Sequence, residues 1–574
     1  IDSPFVYIFN TFFKAAGILI FWVPCLYLLF GKKIKTLFAY AFGVITLCAL
    51  LNTFVFKSNY STISNIFTFD SLSGLSSPGI IFVLGIVSPV FICAALAYII
   101  NRNKTRLLNA AIGISLISLT VFFIYNAVGI HAGFSKAALA KNSEESNINA
   151  ITPIFSLSKE KRNIIVIMSD CAINGFVKPI FDEHPALYEQ FDGFTLYPNT
   201  LSFAMHTIMG VPPIWGGYEY TPKEMNARSD IPLVKKHNEA LLMLPTILAG
   251  EGGDNDACFR VTVTDPSWAN HDPINETSIY KDLKNVSALN TIGRYTPLWY
   301  SLNNFTKKSL TSNKINRNAL WFSFLKISPP FLRKLIYDDS WYWGADEFVV
   351  SITKFLNSYT VLDLLPRLTT YDSAEPSALL ITNEATHDLT FLQYPEYKPV
   401  EIVSDIGSGE FSSNTYYHIN NAFYLKIGEW FDELKKENVY DNTRIIIVSD
   451  HGSNTNAKIA NTEIPIAGVR REGYNPVLLV KDFYQHGTLK TDMTFMTNAD
   501  VPSIVLEGIA EKINPFTGKV LDTDEKKDGV YITSNHFPQA YMHGKNKFRI
   551  SDNEWIFIKD NIFDEKNWEK AAAP

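Results

Sequence analysis

Four side chains in this 574-residue chain are of the types that metal-assisted nucleophilic chemistry uses. Asp170 closes the apolar run NIIVIMSD at 163–170, and Asp450 with His451 closes RIIIVSDHG at 444–452. A carboxylate–carboxylate–imidazole set suits Zn²⁺ or Mn²⁺, and a tetrahedral fourth ligand would favour zinc. Thr207 offers that fourth group. It stands in SFAMHTIMGVPPIWGGYEYTP, between His206 and a proline-rich turn of small residues. A divalent metal beside its hydroxyl would make an alkoxide available near neutral pH and would polarise a phosphoryl oxygen. Singly, each residue has a plainer reading: an Asp after a strand is more often a turn or cap residue, and a Thr after a His means little. The force of the set is that each metal acid ends an apolar, β-branched strand.

Those strands fix the expected fold class. A short, continuously apolar run suits a strand buried on both faces of a parallel sheet, and open α/β sheets carry their ligands at the strands' carboxyl ends. FTLYPNT at 194–200 reads as a second strand leading to Thr207. ALLITNEATHD at 378–388 repeats the pattern of apolar strand then polar residues, including Asn383 and His387. An amphipathic helix follows, with Ile419, Phe423, Ile427, Phe431 and Leu434 at steps of three or four. PVLLVKDF at 476–483 reads as a further strand and FRISDNEWIFIKD at 548–560 as a terminal hairpin. Strands alternating with helices predict an α/β domain, a mostly parallel sheet with helices on both faces.

The N-terminal part is of another kind. Residues 1–140 contain only two acids, Asp2 and Asp70. Apolar segments at 10–31, 34–56, 76–100 and 107–128 each approach the ~20 residues that cross a bilayer. The short loops GKKIK and NRNKTR are basic and belong on the cytoplasmic side, whereas 57–75 is nearly neutral and belongs outside. Everything after about 128 is then extracytoplasmic. The same logic puts Ile1 outside, so a cytoplasmic N-terminus requires a fifth helix upstream. The expected division is a transmembrane domain at 1–130, a linker at 131–160, a catalytic domain at 161–560 and a tail at 561–574. Two readings stand for 310–345, where Trp, Phe, Lys and Arg surround a Pro-Pro break. It lies along the membrane surface with its aromatics at headgroup level, or it is a core helix with a proline-broken end.

Net charge is −6, which gives no reason to expect a nucleic-acid partner. Cys25, Cys48 and Cys93 lie in apolar runs as small packing residues. Cys171 and Cys258 allow one disulfide but their spacing does not demand it.

VIMSD at 166–170, the threonine segment and VSDHG at 448–452 together resemble the alkaline phosphatase/sulfatase superfamily. With membrane helices before an outward-facing domain, the chain resembles its phosphoethanolamine transferases and lipoteichoic acid synthases. In the transferases a Val-Pro follows the nucleophilic Thr after three residues. Here Val211-Pro212 stands in that position, and this match selects Thr207 over Thr200 and Ser202. The resemblance implies metal ligation by Asp170, Asp450, His451 and Thr207, and a substrate-side histidine at His387. His206, Trp215 and Asn383 are assigned to the substrate; the glycines after Trp215 let backbone approach a ligand closely. There are departures: Asp170 stands where a Glu is usual, no cysteine pair flanks Thr207, and Cys171 is not followed by CxPxR, which disfavours a formylglycine sulfatase. No second-metal histidine follows Asp-His-Gly closely; the next are His486, His536 and His543.

The resemblance implies a monomeric, multi-pass protein of the bacterial cytoplasmic membrane. It would move a phosphoethanolamine or phosphoglycerol head group from a phospholipid donor to a glycan or lipid acceptor through a phosphothreonine. The alternatives are a phosphodiesterase or phosphatase that uses water, and a non-catalytic lipid sensor or transport protein that keeps the fold.

Overall fold

The structure is a computed structural model. It describes the chain except residues 1–2, 57–59, 61–62, 64–66, 68–78, 102–104, 146–150, 251–257, 272–274, 304, 306–309, 339–341, 344–346, 456–463, 465, 467–468, 522 and 535–544. The chain forms two compact units, residues 1–150 with 306–349, and residues 151–305 with 350–574.

In the first unit, Pro4–Leu29, Lys32–Phe54 and Ile112–Ser135 are long and apolar enough to cross a membrane. The last is part of a continuous helix, Thr105–Glu145, that runs well into the segment expected as linker. Gly79–Asn101 is a fourth helix, with a shorter apolar stretch at Val83–Ile99. Their outward side chains are apolar: Phe13, Ile20, Leu29, Leu37, Phe91 and Tyr125 are all exposed, a surface that suits hydrocarbon rather than water. Two further helices, Leu310–Ile327 and Pro330–Tyr337, belong to this unit although they lie far along the sequence.

The second unit is built on an eight-stranded sheet. In chain order its strands are β1 Asn163–Ser169, β2 Thr195–Leu196, β3 Arg260–Thr264, β4 Val286–Leu289, β5 Ser377–Asn383, β6 Thr443–Val448, β7 Leu478–Lys481 and β8 Lys490–Thr491. Their spatial order is β8-β2-β7-β6-β1-β5-β3-β4. Every pairing is parallel except the two made by β7, which runs against β6 and β2. The antiparallel strand is the one departure from an all-parallel sheet.

Alternation along the strands builds two cores. Ile165, Ile167, Leu379, Ile381, Ile445 and Ile447 face one side, against the helix Thr415–Lys436. Ile164, Val166, Met168, Leu380, Ile446 and Val448 face the other, with Val211, Ile214 and Leu244. The Thr415–Lys436 helix starts at Asn414, whose side chain accepts from the Tyr416 and Tyr417 amides at 2.9 and 3.3 Å. The strand expected at 548–560 is Trp555–Ile558, but it is the centre of a three-stranded antiparallel sheet rather than a hairpin. It pairs with Val530–Thr533 and with Trp568–Ala571. The outer strand lies in the segment expected to be a tail, because Trp568 buries its ring with Ile556 and Ile558.

Candidate metal centre and nucleophile

β1 lies between β5 and β6, parallel to both. The register pairs Ser169 with Asn383 and Met168 with Val448. Asp170 therefore leaves the sheet at the same edge as Asp450, His451 and the 384–388 loop. Asp170, Asp450 and His451 are buried, and one ligand atom from each lies within 4.8 Å of the others. His451 Nε2 is 3.4 Å from Asp450 Oδ2 and 3.9 Å from Asp170 Oδ1.

The hydrogen bonds leave the metal-facing atoms unused. Asp450 Oδ1 accepts from the Cys171 and His451 amides at 3.1 and 3.0 Å. Asp450 Oδ2 and Asp170 Oδ1 are buried without a hydrogen-bond partner among the described residues. A buried carboxylate oxygen left unpaired costs several kcal/mol unless a cation meets it, roughly. His451 Nδ1 is 2.7 Å from the Gly452 carbonyl. A carbonyl only accepts, so Nδ1 carries the proton and the Nε2 lone pair is directed at the two carboxylates, the tautomer a metal-binding imidazole needs. These residues fit a divalent cation of the zinc or manganese class.

Supporting bonds hold the acids in place. The Asp170 amide donates to Asn383 O at 2.9 Å, and the Thr386 hydroxyl donates to Asp170 O at 2.6 Å. Ser169 Oγ in turn donates to Thr386 Oγ1 at 2.7 Å. A side chain at Gly452 would collide with the Glu472 carbonyl, which accounts for the glycine after Asp-His.

Thr207 is the first residue of the helix Thr207–Gly216, and it is half-buried. His206 precedes it with extended backbone, and its carbonyl accepts from the Met209 and Gly210 amides at 3.0 and 2.8 Å. The helix rests on the metal strand end. A Cβ at Gly210 would lie 2.6 Å from the Asp450 carbonyl oxygen, so only glycine permits this approach. Asn498, fully buried, donates from Nδ2 to Asp450 O at 3.0 Å and to Gly210 O at 3.2 Å. One amide thus ties the backbone of the metal acid to the first turn of the threonine helix. The positive end of the helix dipole favours a negatively charged group in front of Thr207.

His387 lies on the loop after β5, with its side chain half-exposed and Nδ1 3.6 Å from Asp388 Oδ1. The Asp170 charge, and after it Asp388, raise its imidazole to about 10. Burial, and after it Asp388, push the Glu384 carboxyl up to about 7. Burial, then Asp450, raise Asp170 well above the carboxylate range. The Asp450 charge adds to burial at Asp170, as expected of two carboxylates that share a site.

Two sequence assignments need correction. Trp215 is only 5% exposed and packs with Ile214, Val211 and Leu244 beneath the sheet, so it fills the core and does not face a ligand. Asn383 is 1% exposed, and both ends of its amide are used internally. Its Nδ2 donates to Ser358 O at 3.0 Å and its Oδ1 accepts from the Ala385 amide at 3.0 Å. It shapes the strand end that carries Asp170. Glu384 and Asn498 have the reverse history. Glu384 sits inside the NEATHD motif and is found by its burial among like charges, whereas nothing in TNADVP marks Asn498. Cys171 and Cys258 are both free thiols, the first buried and the second exposed. His486 is exposed and paired with Asp192 at 3.0 Å, and His536 and His543 lie outside the described residues.

No family model matches the chain, and no curated protein matches it. Among solved structures it is similar to a protein of the alkaline phosphatase superfamily from Vibrio parahaemolyticus. The identity is 12%, over 70% of this chain and 75% of that one, with a TM-score of 0.37. It is similar to a lipoteichoic acid synthase from Listeria monocytogenes at 10% identity, over 69% of this chain and 82% of that one, with a TM-score of 0.35. It is also similar to the integral membrane lipooligosaccharide phosphoethanolamine transferase A from Neisseria meningitidis. There the identity is 13%, over 84% of this chain and 85% of that one, with a TM-score of 0.32.

Proposed function

We propose that the chain is a metal-dependent phosphotransferase that moves a phospho-head group from a membrane phospholipid to a hydroxyl on a cell-envelope glycan or lipid, by way of a phosphothreonine. The observation that carries the reading is the convergence of Asp170, Asp450 and His451, with Asp170 Oδ1 and Asp450 Oδ2 buried and unpartnered among the described residues, at a strand end against which the helix opened by Thr207 packs. The motif resemblance at 166–170, 207–212 and 448–452 supports it, as do the apolar helices of the other unit, which supply a reason for a lipid donor.

Asp170, Asp450 and His451 would hold the cation, and Thr207 Oγ1 is the hydroxyl it would activate. When bound, the cation lowers the pKa of the threonine hydroxyl and offsets charge on the non-bridging phosphoryl oxygens. In the first half-reaction Thr207 Oγ1 attacks phosphorus, an Oγ1–P bond forms, and the P–O bond to diacylglycerol breaks. His387, on the loop after β5, gives its proton to the departing oxygen. In the second half the neutral imidazole takes a proton from the acceptor hydroxyl, which attacks phosphorus and releases Thr207. Thr207→Ala in the full chain, assayed for diacylglycerol release from phosphatidylethanolamine and phosphatidylglycerol vesicles, is expected to reduce release to background. Turnover at the parent rate in that variant would refute the assignment.

A further inference from the structure

The helices Leu310–Ile327 and Pro330–Tyr337 form a hairpin, turned by Ser328, Pro329 and Pro330. Ser328 Oγ donates to Phe324 O at 2.6 Å and closes the first helix, and Pro330 is the first residue of the second. The hairpin is anchored to the end of the apolar helix Lys32–Phe54. Asn52 is 3% exposed and donates to Ile327 O at 2.9 Å. Arg333 is fully buried, and its guanidinium donates to Asn52 O at 2.9 Å and to Ser328 O at 3.2 Å. Pro330 packs against Gly85, where a Cβ would lie 2.9 Å from the proline ring. Leu325, Ile336, Tyr337 and Tyr342 close a small core with Tyr60 and Phe67. A charged, fully buried tie to a spanning helix makes the hairpin a fixed part of the membrane unit.

The other side of the hairpin is apolar and open. Phe331 and Leu335, one turn apart, are 44% and 60% exposed, opposite the face that carries Arg333 and Tyr337. Phe324 and Ile327 on the first helix are 37% and 41% exposed, and Trp343 is 54% exposed with its ring 5.0 Å from that of Trp321. Lys326 and Lys334 are exposed beside these residues. An apolar row edged by lysines and ended by tryptophans is the composition of a surface that sits at lipid headgroup depth, where lysine ammoniums reach phosphates and indole rings straddle the boundary. The helices to which the hairpin is bonded are themselves apolar on their exposed side chains.

We propose that this hairpin is an interfacial element whose face of Phe324, Ile327, Phe331, Leu335 and Trp343 is covered by phospholipid at the extracytoplasmic surface of the bilayer. The assignment rests on the membrane reading of the apolar helices and not on the chemistry at Thr207.

The test is photo-crosslinking of the full chain in nanodiscs of phosphatidylethanolamine and phosphatidylglycerol that carry a lipid with a diazirine near the glycerol backbone, mapped by peptide mass spectrometry. Lipid adducts are expected on the 324–343 peptides as well as on the spanning helices. Phe331→Ser and Leu335→Ser change exposed positions, and each should lower adducts on 324–343 several-fold while leaving those on Lys32–Phe54 unchanged. Adducts confined to the spanning helices, with 324–343 recovered unmodified, would overturn the proposal. Thr207→Ala should keep the 324–343 adducts, which separates a failure here from a failure of the transferase reading.

Discussion

At the scale of single residues, the centre is defined by which lone pairs remain unused. Asp450 is the clearest case, since Oδ1 is spent on two amides and Oδ2 on none. Asp450→Asn keeps an oxygen for the Cys171 and His451 amides and removes the charge that a cation needs. The purified full-length variant should lose stoichiometric zinc or manganese in elemental analysis, with activity down by about 100-fold or more. Retained metal would remove Asp450 from the ligand set. Asp170, Asp450 and His451 were legible in the sequence because a β-branched run that ends in an acid leaves one plausible place for the acid, the strand's carboxyl end. Trp215 and Asn383 were not, because a residue's type does not tell which way its side chain points. Trp215 is on the threonine helix but on its core face, and Asn383 turns back onto the backbone of Ser358 and Ala385.

At the scale of elements, one packing sets the placement of Thr207 and a second sets an acid sensitivity of the domain. The first is the Asn498 bridge between the Thr207–Gly216 helix and the residues that follow β6. Asn498→Ala leaves two buried carbonyls without that donor, at a cost of roughly 1–3 kcal/mol. A shift of the threonine helix by an ångström lowers rate on the order of 100-fold. The expected result is a fall in kcat with metal content and KM nearly unchanged. A change in KM alone would mean that Asn498 acts on substrate binding instead. No motif marks Asn498, since its role depends on two backbone atoms more than 40 residues away in sequence.

The second packing holds the helix Leu233–Leu248 against the segment around Ser267. His237 is fully buried, and its Nε2–H donates to Ser267 O at 3.0 Å. Burial, with His271 adding to it, holds this imidazole down to about 3. The unfolded chain takes up the proton near 6.5, so between those values the unfolded state binds more protons than the folded one. Stability from this group is therefore full above about 6.5 and is lost as pH falls toward about 3. Thermal unfolding of the full chain should show a falling transition temperature over that window. His237→Gln, which keeps a donor and cannot titrate, should flatten the fall. An equal slope in the variant would assign the acid sensitivity to other groups.

At the scale of the whole molecule, alternation of apolar strands and amphipathic helices was enough to read a parallel α/β domain, and hydropathy was enough to read the helices before it. What could not be read was where the chain's pieces belong. Residues 310–337 carry aromatics, lysines and a Pro-Pro break that suit either a soluble core or a membrane surface, and contacts made in three dimensions, among them the bonds of Asn52 and Arg333 and the packing of Pro330 on Gly85, place them with the apolar N-terminal helices. The C-terminal strand was likewise missed, because Trp568–Ala571 alternates weakly and finds its partner only in three dimensions.

The central claim joins these scales: a cation site at the ends of β1 and β6 exists to make Thr207 a nucleophile toward a lipid head group. Mass spectrometry of the Thr207 peptide tests it most directly, after the metal-loaded full chain has been incubated with phosphatidylethanolamine and phosphatidylglycerol in the absence of acceptor. The account predicts a covalent adduct on Thr207 whose mass is that of a phospho-head group, which is absent without metal and discharged when a hydroxyl acceptor is added. An unmodified Thr207 alongside diacylglycerol release, or an adduct on another residue, would contradict it.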